Sequence, residues 1–267
     1  MSARLRALAQ ETERIVVTGG YRTATGRDHD LGALIARAAD GTRLYGPDPV
    51  AVPAAPATTT TIEVTGESSL QAARRLGEGT AVLNFASARN PGGGYLNGAQ
   101  AQEEALCRAS ALYTCLLRAP EYYDHHRNHR DPFYTDRVIH SPGVPVFRDD
   151  RGALLDTPFT AGFLTSPAPN AGVIRRTAPD RAPLIPGALR SRAARVLQVA
   201  AAHGYRRVVL GAWGCGVFQN DPATVAGTFR ALLLDAPFAD RFDTVTFAIL
   251  DRAKDRATLG AFQETFA

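Results

Sequence analysis

Two adjacent glutamates, Glu103 and Glu104, form a pair of side chains that could carry out acid–base chemistry. They are predicted to lie in the first turn of a helix that begins near Gln100, shortly after a glycine triplet at residues 92–94. Acidic residues are also favoured in that turn, by about 0.3–1 kcal/mol, because they complement the helix dipole. Their position alone therefore does not establish catalysis. Neighbouring helical residues point about 100° apart, so one carboxylate could act on a scissile bond while the other holds a sugar hydroxyl.

The glycine triplet predicts a loop in which a ligand can approach the backbone closely. Glycine adopts positive φ without steric penalty, and successive free N–H groups form a cradle for an anion. The helix that follows directs its positive end at the same space. Taken alone, a glycine triplet is more typical of a flexible surface turn, so its meaning depends on its surroundings.

A second glycine-rich loop covers residues 211–222, between a predicted strand and a predicted helix. Gly214 and Gly216 would let the backbone approach a diphosphate, and Phe218 could form a wall beside a sugar or a base. The alternative is a tight turn with one packing aromatic side chain. The position after a predicted parallel strand favours the binding loop.

Alternating strands and helices are predicted to position these two loops. The predicted strands are 60–64, 80–85, 137–140, 163–166, 208–210 and 244–250. The predicted helices are 2–14, 31–39, 68–76 with Ser68 as a plausible N-cap, about 100–117, 185–203, 222–234 and 254–266. This alternation predicts a mostly parallel sheet covered on both faces. Ligands bind such sheets beyond the carboxyl ends of the strands, where both loops begin.

The organisation of the chain predicts one catalytic domain preceded by a short extension. Residues 1–57 are predicted to form an N-terminal extension packed on the core, because a segment of this length buries little apolar surface by itself. Residues 58–267 hold most of the alternating elements and form the predicted catalytic domain. The Pro- and Gly-rich stretch 141–158 is predicted to be a long loop, either a lid or a solvent-facing connection.

The composition is that of an ordinary folded protein. Of the 267 residues, 45% are hydrophobic and 21% are charged, which excludes a disordered tail and a collagen-like repeat. No run of apolar residues approaches the roughly 18–20 that a membrane helix needs. The N-terminus lacks the apolar core of a secretory signal, so a cytoplasmic protein is expected.

The charge balance fits a small anionic ligand as well as it fits nucleic acid. The net charge is +4, and Lys254 is the single lysine among 30 basic residues. No long block of like charges indicates a basic tail. Sequence-specific binding of nucleic acid is therefore not expected.

Three cysteines, Cys107, Cys115 and Cys215, form an odd number without CxxC spacing, so buried free thiols are expected rather than disulfides or a zinc site. Cys215 could act as a nucleophile. The nearest histidine in sequence, His203, lies within the preceding predicted helix, which weighs against that role.

The two loops together resemble a known family, the poly(ADP-ribose) glycohydrolases. Their signature is a glycine triplet, a short spacer and Gln-Glu-Glu, and here Gln102-Glu103-Glu104 follows the triplet after seven residues. The run 214–218 resembles the family's diphosphate-binding loop, and the order of elements resembles the compact bacterial type over most of the chain. The fold implied is a three-layer α/β/α macrodomain with a mixed, largely parallel central sheet and a short N-terminal helical extension.

The reaction implied by the resemblance is hydrolysis of the ribose–ribose O-glycosidic bond of poly(ADP-ribose), with release of ADP-ribose. Glu104 would protonate the leaving ribose oxygen and then deprotonate the attacking water, while Glu103 would hold ribose hydroxyls. Tyr95 and Phe218 are candidates for contact with a ribose. The residues implied to bind substrate are Gly92, Gly93, Gly94, Gln102, Asn84, Asn90, Gly214, Cys215, Gly216, Val217 and Phe218. No metal and no cofactor are implied.

One physical tension accompanies this mechanism. A helix N-terminus favours the charged form of a carboxyl group and lowers its pKa, whereas a general acid needs a proton near pH 7. Burial under the bound polymer, the charge of Glu103 and the substrate diphosphate would all oppose the dipole. The proton is therefore expected on Glu104 only in the substrate complex, or to be supplied through the bound sugar.

Other function classes remain open from the sequence. A macrodomain that reads ADP-ribose without cutting it is one alternative, and a hydrolase that removes single ADP-ribose units from a protein or a base is another. A Rossmann-type transferase ranks last because the loop after residue 85 lacks GxGxxG. The expected partners are poly(ADP-ribose) or ADP-ribosylated proteins as substrate and ADP-ribose as product, with no membrane and with the chain acting as a monomer.

Overall fold

The computed structural model describes residues 2–54, 56, 58–235 and 237–267. The strands are β1 Gly20–Arg22, β2 Asp28–Asp30, β3 Arg43–Tyr45, β4 Thr61–Thr65, β5 Thr80–Phe85, β6 Val138–Arg148, β7 Leu154–Ser166, β8 Arg207–Leu210 and β9 Thr244–Ala248. The helices are α1 Ala3–Thr18, α2 Gly32–Gly41, α3 Ser69–Leu76, α4 Gln102–Ala109, α5 Leu112–Leu116, α6 Pro120–Asn128, α7 Ala171–Thr177, α8 Ile185–Ala202, α9 Pro222–Arg230 and α10 Ala257–Phe266.

Within the described residues, seven strands form one sheet in the order β3-β6-β7-β5-β8-β9-β4, and β1 and β2 form a separate ribbon. The pairs from β7 to β4 are parallel, and the pairs β7–β6 and β6–β3 are antiparallel. The prediction of a mixed, largely parallel sheet is confirmed. The carboxyl ends of β7, β5, β8 and β9 meet at one edge, and β6 begins at that edge, where Ile139 pairs with Thr165.

Both faces of the sheet are buried, which makes this a three-layer α/β/α fold. Along β5, Ala81 and Leu83 face one core cluster with α8, α9 and α10, whereas Val82 faces a second cluster with α1 to α6. A central parallel strand must be apolar on both sides because helices cover both. In the run that predicted β5, residues 80–84 are all fully buried, and the three central ones, Ala81, Val82 and Leu83, are apolar.

Helix α3 begins as predicted. The Ser68 hydroxyl accepts a hydrogen bond from the Gln71 N–H at 3.1 Å, and the Gln71 side chain accepts one from the Ser68 N–H at 3.0 Å. This capping box satisfies two donors that the helix itself leaves unpaired. The predicted N-cap at Ser68 is confirmed.

The prediction of one helix over residues 100–117 is wrong. Helix α4 ends at Ala109, and Ser110 is fully extended and forms a β-bridge with Val146. The Ala111 N–H donates to the carbonyl of Pro145 at 3.1 Å before α5 begins. Contact with β6 therefore interrupts a segment whose local preference is helical, and α6, which follows, was not predicted.

The prediction of a long loop over 141–158 is also wrong. Strands β6 and β7 extend through most of this stretch as an antiparallel hairpin. The ladder shifts register between Ser141 and Val144, and Gly143 has a φ of +55° there. A bulge of this kind accommodates Gly and Pro residues within a strand, although such residues are more typical of a loop. The stretch is a structural part of the sheet.

The N-terminal segment contributes to the same core and sheet. Helices α1 and α2 supply buried residues of the second cluster, and β3 pairs with β6. The boundary at residue 57 stays a prediction. Near the other end, the predicted helix 222–234 is α-helical to Arg230 and continues as a π-helical turn over 231–235. In the part of the chain that the structure describes, no helix combines the length and apolar character needed to cross a membrane.

Candidate active site

Three loops meet at the carboxyl edge of the sheet. The first loop covers residues 86–101 after β5, the second covers 211–221 after β8, and the third covers 167–170 after β7. The Trp213 indole N–H donates to the carbonyl of Ser166 at 3.0 Å, which joins the second loop to the end of β7. The sequence predicted the first two loops at one edge, and did not predict the third.

Glu104 is held by the backbone of the glycine triplet. Its Oε1 accepts a hydrogen bond from the Gly94 N–H at 2.9 Å, and its side chain is buried. No donor among the described residues reaches Oε2, so one carboxylate oxygen is fixed and the other is available. Gly93 has a φ of +59°, and a Cβ there would collide with the Glu104 carboxylate. Only glycine fits both constraints.

Glu103 is held more completely than Glu104. Its Oε2 accepts a hydrogen bond from the Ser87 N–H at 2.7 Å, and its Oε1 accepts one from the Asn84 amide at 3.2 Å. The same Asn84 amide group contacts the Thr165 hydroxyl at 3.1 Å. Asn84 is fully buried and anchors Glu103 to β5 and β7. Its predicted contact with ribose would therefore be made through Glu103.

Burial raises the pKa of Glu103 to about 8, with a further contribution from the charge of Glu104. The hydrogen bonds from Ser87 and Asn84 act in the opposite direction because they favour the charged form. The desolvation of a carboxyl group inside the protein outweighs them. The raised pKa is therefore that of Glu103, the glutamate that the family resemblance assigned to the ribose hydroxyls.

The expectation that the glycine triplet offers free N–H groups to an anion is wrong for two of its members. The Gly93 N–H donates to the carbonyl of Asn90 at 3.0 Å, and the Gly94 N–H donates to Glu104. Asn90 itself is exposed on the loop surface. The triplet orients a carboxylate through Gly94 and shapes the loop.

The second loop has unpaired N–H groups at and beside its glycines. Among the described residues, the N–H groups of Gly214, Gly216, Val217 and Phe218 form no hydrogen bond. Ala212 of the second loop lines the same cavity as Ala101 and Gln102 at the start of α4. The first N–H groups of a helix are unpaired, and its dipole is positive there. Together these groups can receive an anion without any charged side chain.

Neighbouring backbone braces the second loop. The buried Asn220 amide donates to the carbonyls of Pro169 and Gly214, at 2.8 and 3.1 Å. Gly214 has a φ of +72°, and the Gly172 N–H donates to the carbonyl of Phe218 at 3.0 Å. Asn220 was missed by the sequence analysis, because an Asn in a loop before a helix carries no distinctive signal.

Three further residues that were predicted to bind substrate, Gln102, Val217 and Cys215, lie in different surroundings. The Gln102 side chain accepts from the Phe85 N–H at 2.9 Å and donates to the carbonyl of Leu83 at 2.8 Å, so it fixes α4 to β5. Val217 is 83% exposed. Burial raises the pKa of the Cys215 thiol to about 12, which removes the thiolate that a nucleophile would need.

Tyr95 is not a stacking residue, and that prediction is wrong. Its side chain is fully buried, and its hydroxyl donates to Glu13 of α1 at 2.9 Å. The Ser2 N–H also donates to the carbonyl of Gly98 at 3.0 Å. Helix α1 therefore supports the first loop from behind.

A cavity of about 940 Å³ opens beside α4, next to the site. Its floor includes Phe85, Ala212 and Ile249, at the ends of β5, β8 and β9. Its rim carries several charged side chains, among them Arg4, Arg108, Arg151, Asp251 and Arg252. The sequence could not predict it, because its lining comes from widely separated segments. No cluster of three His, Cys, Asp or Glu suited to a metal ion occurs within the described ranges.

The model of the microbial-type poly(ADP-ribose) glycohydrolase (PARG) catalytic domain matches residues 9–149, which include both glutamates and the glycine triplet. The crystal structure of PARG from Thermomonospora curvata is 49% identical, with a TM-score of 0.91 over 99% of this chain and 100% of that chain. The chain belongs to this family. A search of curated proteins found no match.

Two further PARG structures are similar to the chain and contain ligands. The T. curvata enzyme bound to the inhibitor ADP-HPD is 49% identical, with a TM-score of 0.90 over 98% of this chain and 99% of that chain. The Deinococcus radiodurans enzyme in complex with ADP-ribose is 46% identical, with a TM-score of 0.81 over 87% of this chain and 96% of that chain. The prediction of a macrodomain-like glycosidase of the bacterial PARG type is confirmed.

Proposed function

We propose that this PARG hydrolyses the ribose–ribose O-glycosidic bond of poly(ADP-ribose) with Glu104 as the single acid–base residue. The observation that carries the proposal is the asymmetry of the Glu104 carboxylate. The Gly94 N–H fixes one oxygen, and the other oxygen is available for a substrate atom. Both oxygens of Glu103 already accept hydrogen bonds, so that carboxyl group is the less mobile of the two.

The two glutamates share one proton in this proposal. The raised pKa of Glu103 keeps that carboxyl neutral near pH 7 in the free protein. Bound substrate excludes water and brings its own diphosphate charge, and in that complex the shared proton lies on Glu104. Such a pair titrates as a unit, and its macroscopic pKa values belong to both residues.

In the chemical step Glu104 transfers its proton to the leaving ribose oxygen as the bond from that oxygen to the anomeric carbon breaks. An oxocarbenium-like species forms, and a water molecule adds to the anomeric carbon while its proton passes to Glu104. Glu103 holds a hydroxyl of the reacting ribose through the lone pairs that Ser87 and Asn84 leave unused. Glu104 therefore gives up one proton and regains one in each turnover, and no other acid or base is required.

The substrate diphosphate lies between the second loop and the start of α4 in this proposal. The unpaired N–H groups of Gly214, Gly216, Val217 and Phe218 support this placement. The cavity beside α4 then accommodates the adenosine, since its floor at Phe85, Ala212 and Ile249 is apolar and suits a base. Ala212 and Ile249 follow β8 and β9, whereas Asn84 and Thr165 lie on β5 and β7.

Product analysis with poly(ADP-ribose) tests the proposal. Wild type is expected to release ADP-ribose, and Glu104→Gln is expected to lower kcat by about 10²–10⁴-fold, the usual contribution of general acid–base catalysis. ADP-ribose affinity should be unchanged, because the amide keeps the bond from Gly94. Glu121→Gln is the matched control, since Glu121 is an exposed glutamate in the first turn of α6.

Three results would contradict parts of this proposal. Near-full turnover by Glu104→Gln would remove its acid–base role. Binding of ADP-ribose without release from the polymer by wild type would indicate a reader. Release only from a singly modified protein, and none from the polymer, would indicate a mono-ADP-ribosyl hydrolase.

A further inference from the structure

A short turn, residues 131–136, lies at the edge of the site and was not singled out by the sequence. It leads into β6, whose first residues lie beside the carboxyl end of β7. Within this turn Tyr134 has a φ of +57°. A bulky side chain adopts this left-handed conformation only where the surroundings impose it, at a cost of about 1–2 kcal/mol.

Buried hydrogen bonds hold the turn on both sides of Tyr134. The guanidinium of the buried Arg192 donates to the carbonyls of Phe133 and Pro167, each at 2.7 Å. The Thr135 hydroxyl and His126 Nε2 lie 2.9 Å apart. The Asn170 N–H donates to the carbonyl of Pro132 at 2.8 Å. These bonds fix the backbone and the neighbouring residues.

The Tyr134 ring is directed at the second loop. Its centroid lies 5.8 Å from that of Phe218, and both side chains are only half-buried. Gln219, which follows Phe218, also has a left-handed backbone, with a φ of +56°. Two of the four non-glycine residues with positive φ in the described ranges therefore flank this one aromatic contact. Strain concentrated in this way is typical of functional sites.

The strand order indicates which part of a ligand this aromatic pair would meet. The cavity assigned to adenosine lies over β8 and β9, whereas Arg192 and Asn170 attach the turn to the loop that follows β7. Three strand spacings of about 4.8 Å separate β9 from β7, or about 14 Å. An ADP-ribose with its base at β9 and its diphosphate at the second loop would place its terminal ribose near β7, beside Glu103 and Tyr134.

We propose that Tyr134 contacts the terminal ribose of the substrate and, with Phe218, forms a wall that holds this sugar towards Glu104. The proposal rests on the proposed function for the orientation of the ligand. The ring face provides apolar contact to the sugar, and the braced turn gives it one orientation, so little conformational entropy is lost on binding. Tyr134 is thus a substrate-contacting residue that discriminates ADP-ribose from ADP.

Calorimetric binding of ADP-ribose and ADP to wild type and two variants tests this inference without requiring turnover. Tyr134→Asn removes the ring but tolerates the left-handed backbone, and Tyr134→Phe keeps the ring. Tyr134→Asn is expected to weaken ADP-ribose binding roughly 5- to 10-fold, whereas Tyr134→Phe stays within about twofold of wild type. Binding of ADP, which lacks the terminal ribose, should be equal for all three proteins. The melting temperature of each variant reports whether it is folded.

Two results for Tyr134→Asn would contradict the proposal. Equal loss of ADP and ADP-ribose affinity in Tyr134→Asn would overturn the assignment to the ribose, and unchanged ADP-ribose affinity would overturn the contact itself. If Tyr134→Asn fails to fold, Tyr134→Gly, which relieves the backbone strain, replaces it with the same expectations. Failure of wild type to release ADP-ribose from polymer would overturn the proposed function instead, and the binding comparison would still decide the role of Tyr134.

Discussion

The two glycine-rich loops look alike in sequence and differ in how their backbone N–H groups are used. In the first loop, the N–H groups of Ser87 and Gly94 bind the carboxylates of Glu103 and Glu104. In the second loop, the N–H groups from Gly216 to Phe218 have no acceptor among the described residues. The second loop is held instead by its own side chains, since Asn220 donates to the carbonyl of Pro169 and Trp213 donates to the carbonyl of Ser166.

This difference assigns separate tasks to the two loops. A loop whose N–H groups orient carboxylates serves the chemical step, and a loop whose N–H groups are unpaired serves ligand binding. Glycine is needed in both, because φ is positive at Gly93 and Gly214. Substitutions that distort the first loop should therefore lower kcat, and substitutions that distort the second loop should raise KM.

The largest effect is expected from Gly93→Ala in the first loop. The added methyl group collides with the Glu104 carboxylate, and alanine is strained at a φ of +59°. We expect kcat on poly(ADP-ribose) to fall by about 10²-fold, as a displacement of about 1 Å at a reacting group does. Steady-state kinetics and the melting temperature measure both consequences.

The matched control for Gly93→Ala is Gly216→Ala in the second loop. A Cβ at Gly216 meets nothing within 4 Å. The melting temperature of this variant should equal that of wild type, and its kcat should change little. A larger fall in kcat for Gly216→Ala than for Gly93→Ala would reverse the division between the loops.

An intermediate effect is expected from Asn220→Ala. The change removes the side-chain hydrogen bonds from Asn220 to the carbonyls of Pro169 and Gly214, at about 0.5–1.5 kcal/mol each, and so weakens the connection between the second loop and the third. KM should rise about tenfold for each 1.4 kcal/mol of binding energy lost, with kcat nearly constant. Asn128→Ala, at the exposed end of α6, is the control. A fall in kcat at constant KM would place Asn220 with the catalytic loop.

The smallest effect is expected on the pH dependence of stability, through Glu103→Gln. A carboxyl with its pKa raised to about 8 is neutral in the folded state between its ordinary value of 4.5 and 8, but ionised in the unfolded chain. The folded state then binds more protons, so the free energy of unfolding falls as pH rises through this window. The Gln variant lacks this dependence.

Thermal unfolding at pH 5 and pH 8 measures the difference. Relative to wild type, Glu103→Gln should be more stable at pH 8 than at pH 5, by about 2–4 °C for each kcal/mol of linked free energy. Glu121→Gln should follow wild type at both values. Parallel curves for Glu103→Gln and wild type would show that Glu103 is ionised in the folded protein, and would remove the shared proton from the mechanism.

Much of the fold followed from local patterns. Strand β5 and the start of α3 lie where they were predicted, because an apolar run and a capping box are encoded by adjacent residues. The break after Ala109 and the hairpin of β6 and β7 were missed. Both depend on contacts between segments far apart in sequence, such as the bridge from Ser110 to Val146.

The sequence also placed the two glutamates in the first turn of α4, beside the glycine triplet. It could not tell which oxygen of either carboxylate is fixed, nor that burial would raise the pKa of Glu103. Asn220 and Tyr134 were missed for the same reason. Their roles arise from contacts with loops and helices that no local pattern encodes.

By itself, the sequence determined the family, the type of sheet and the edge at which the candidate site lies, because each is set by short motifs and by the order of strands and helices. The tertiary structure alone decided how two similar loops divide their tasks, which depends on whether an N–H group finds an acceptor within about 3 Å. That acceptor comes from a distant segment, and its distance is fixed only when the layers pack.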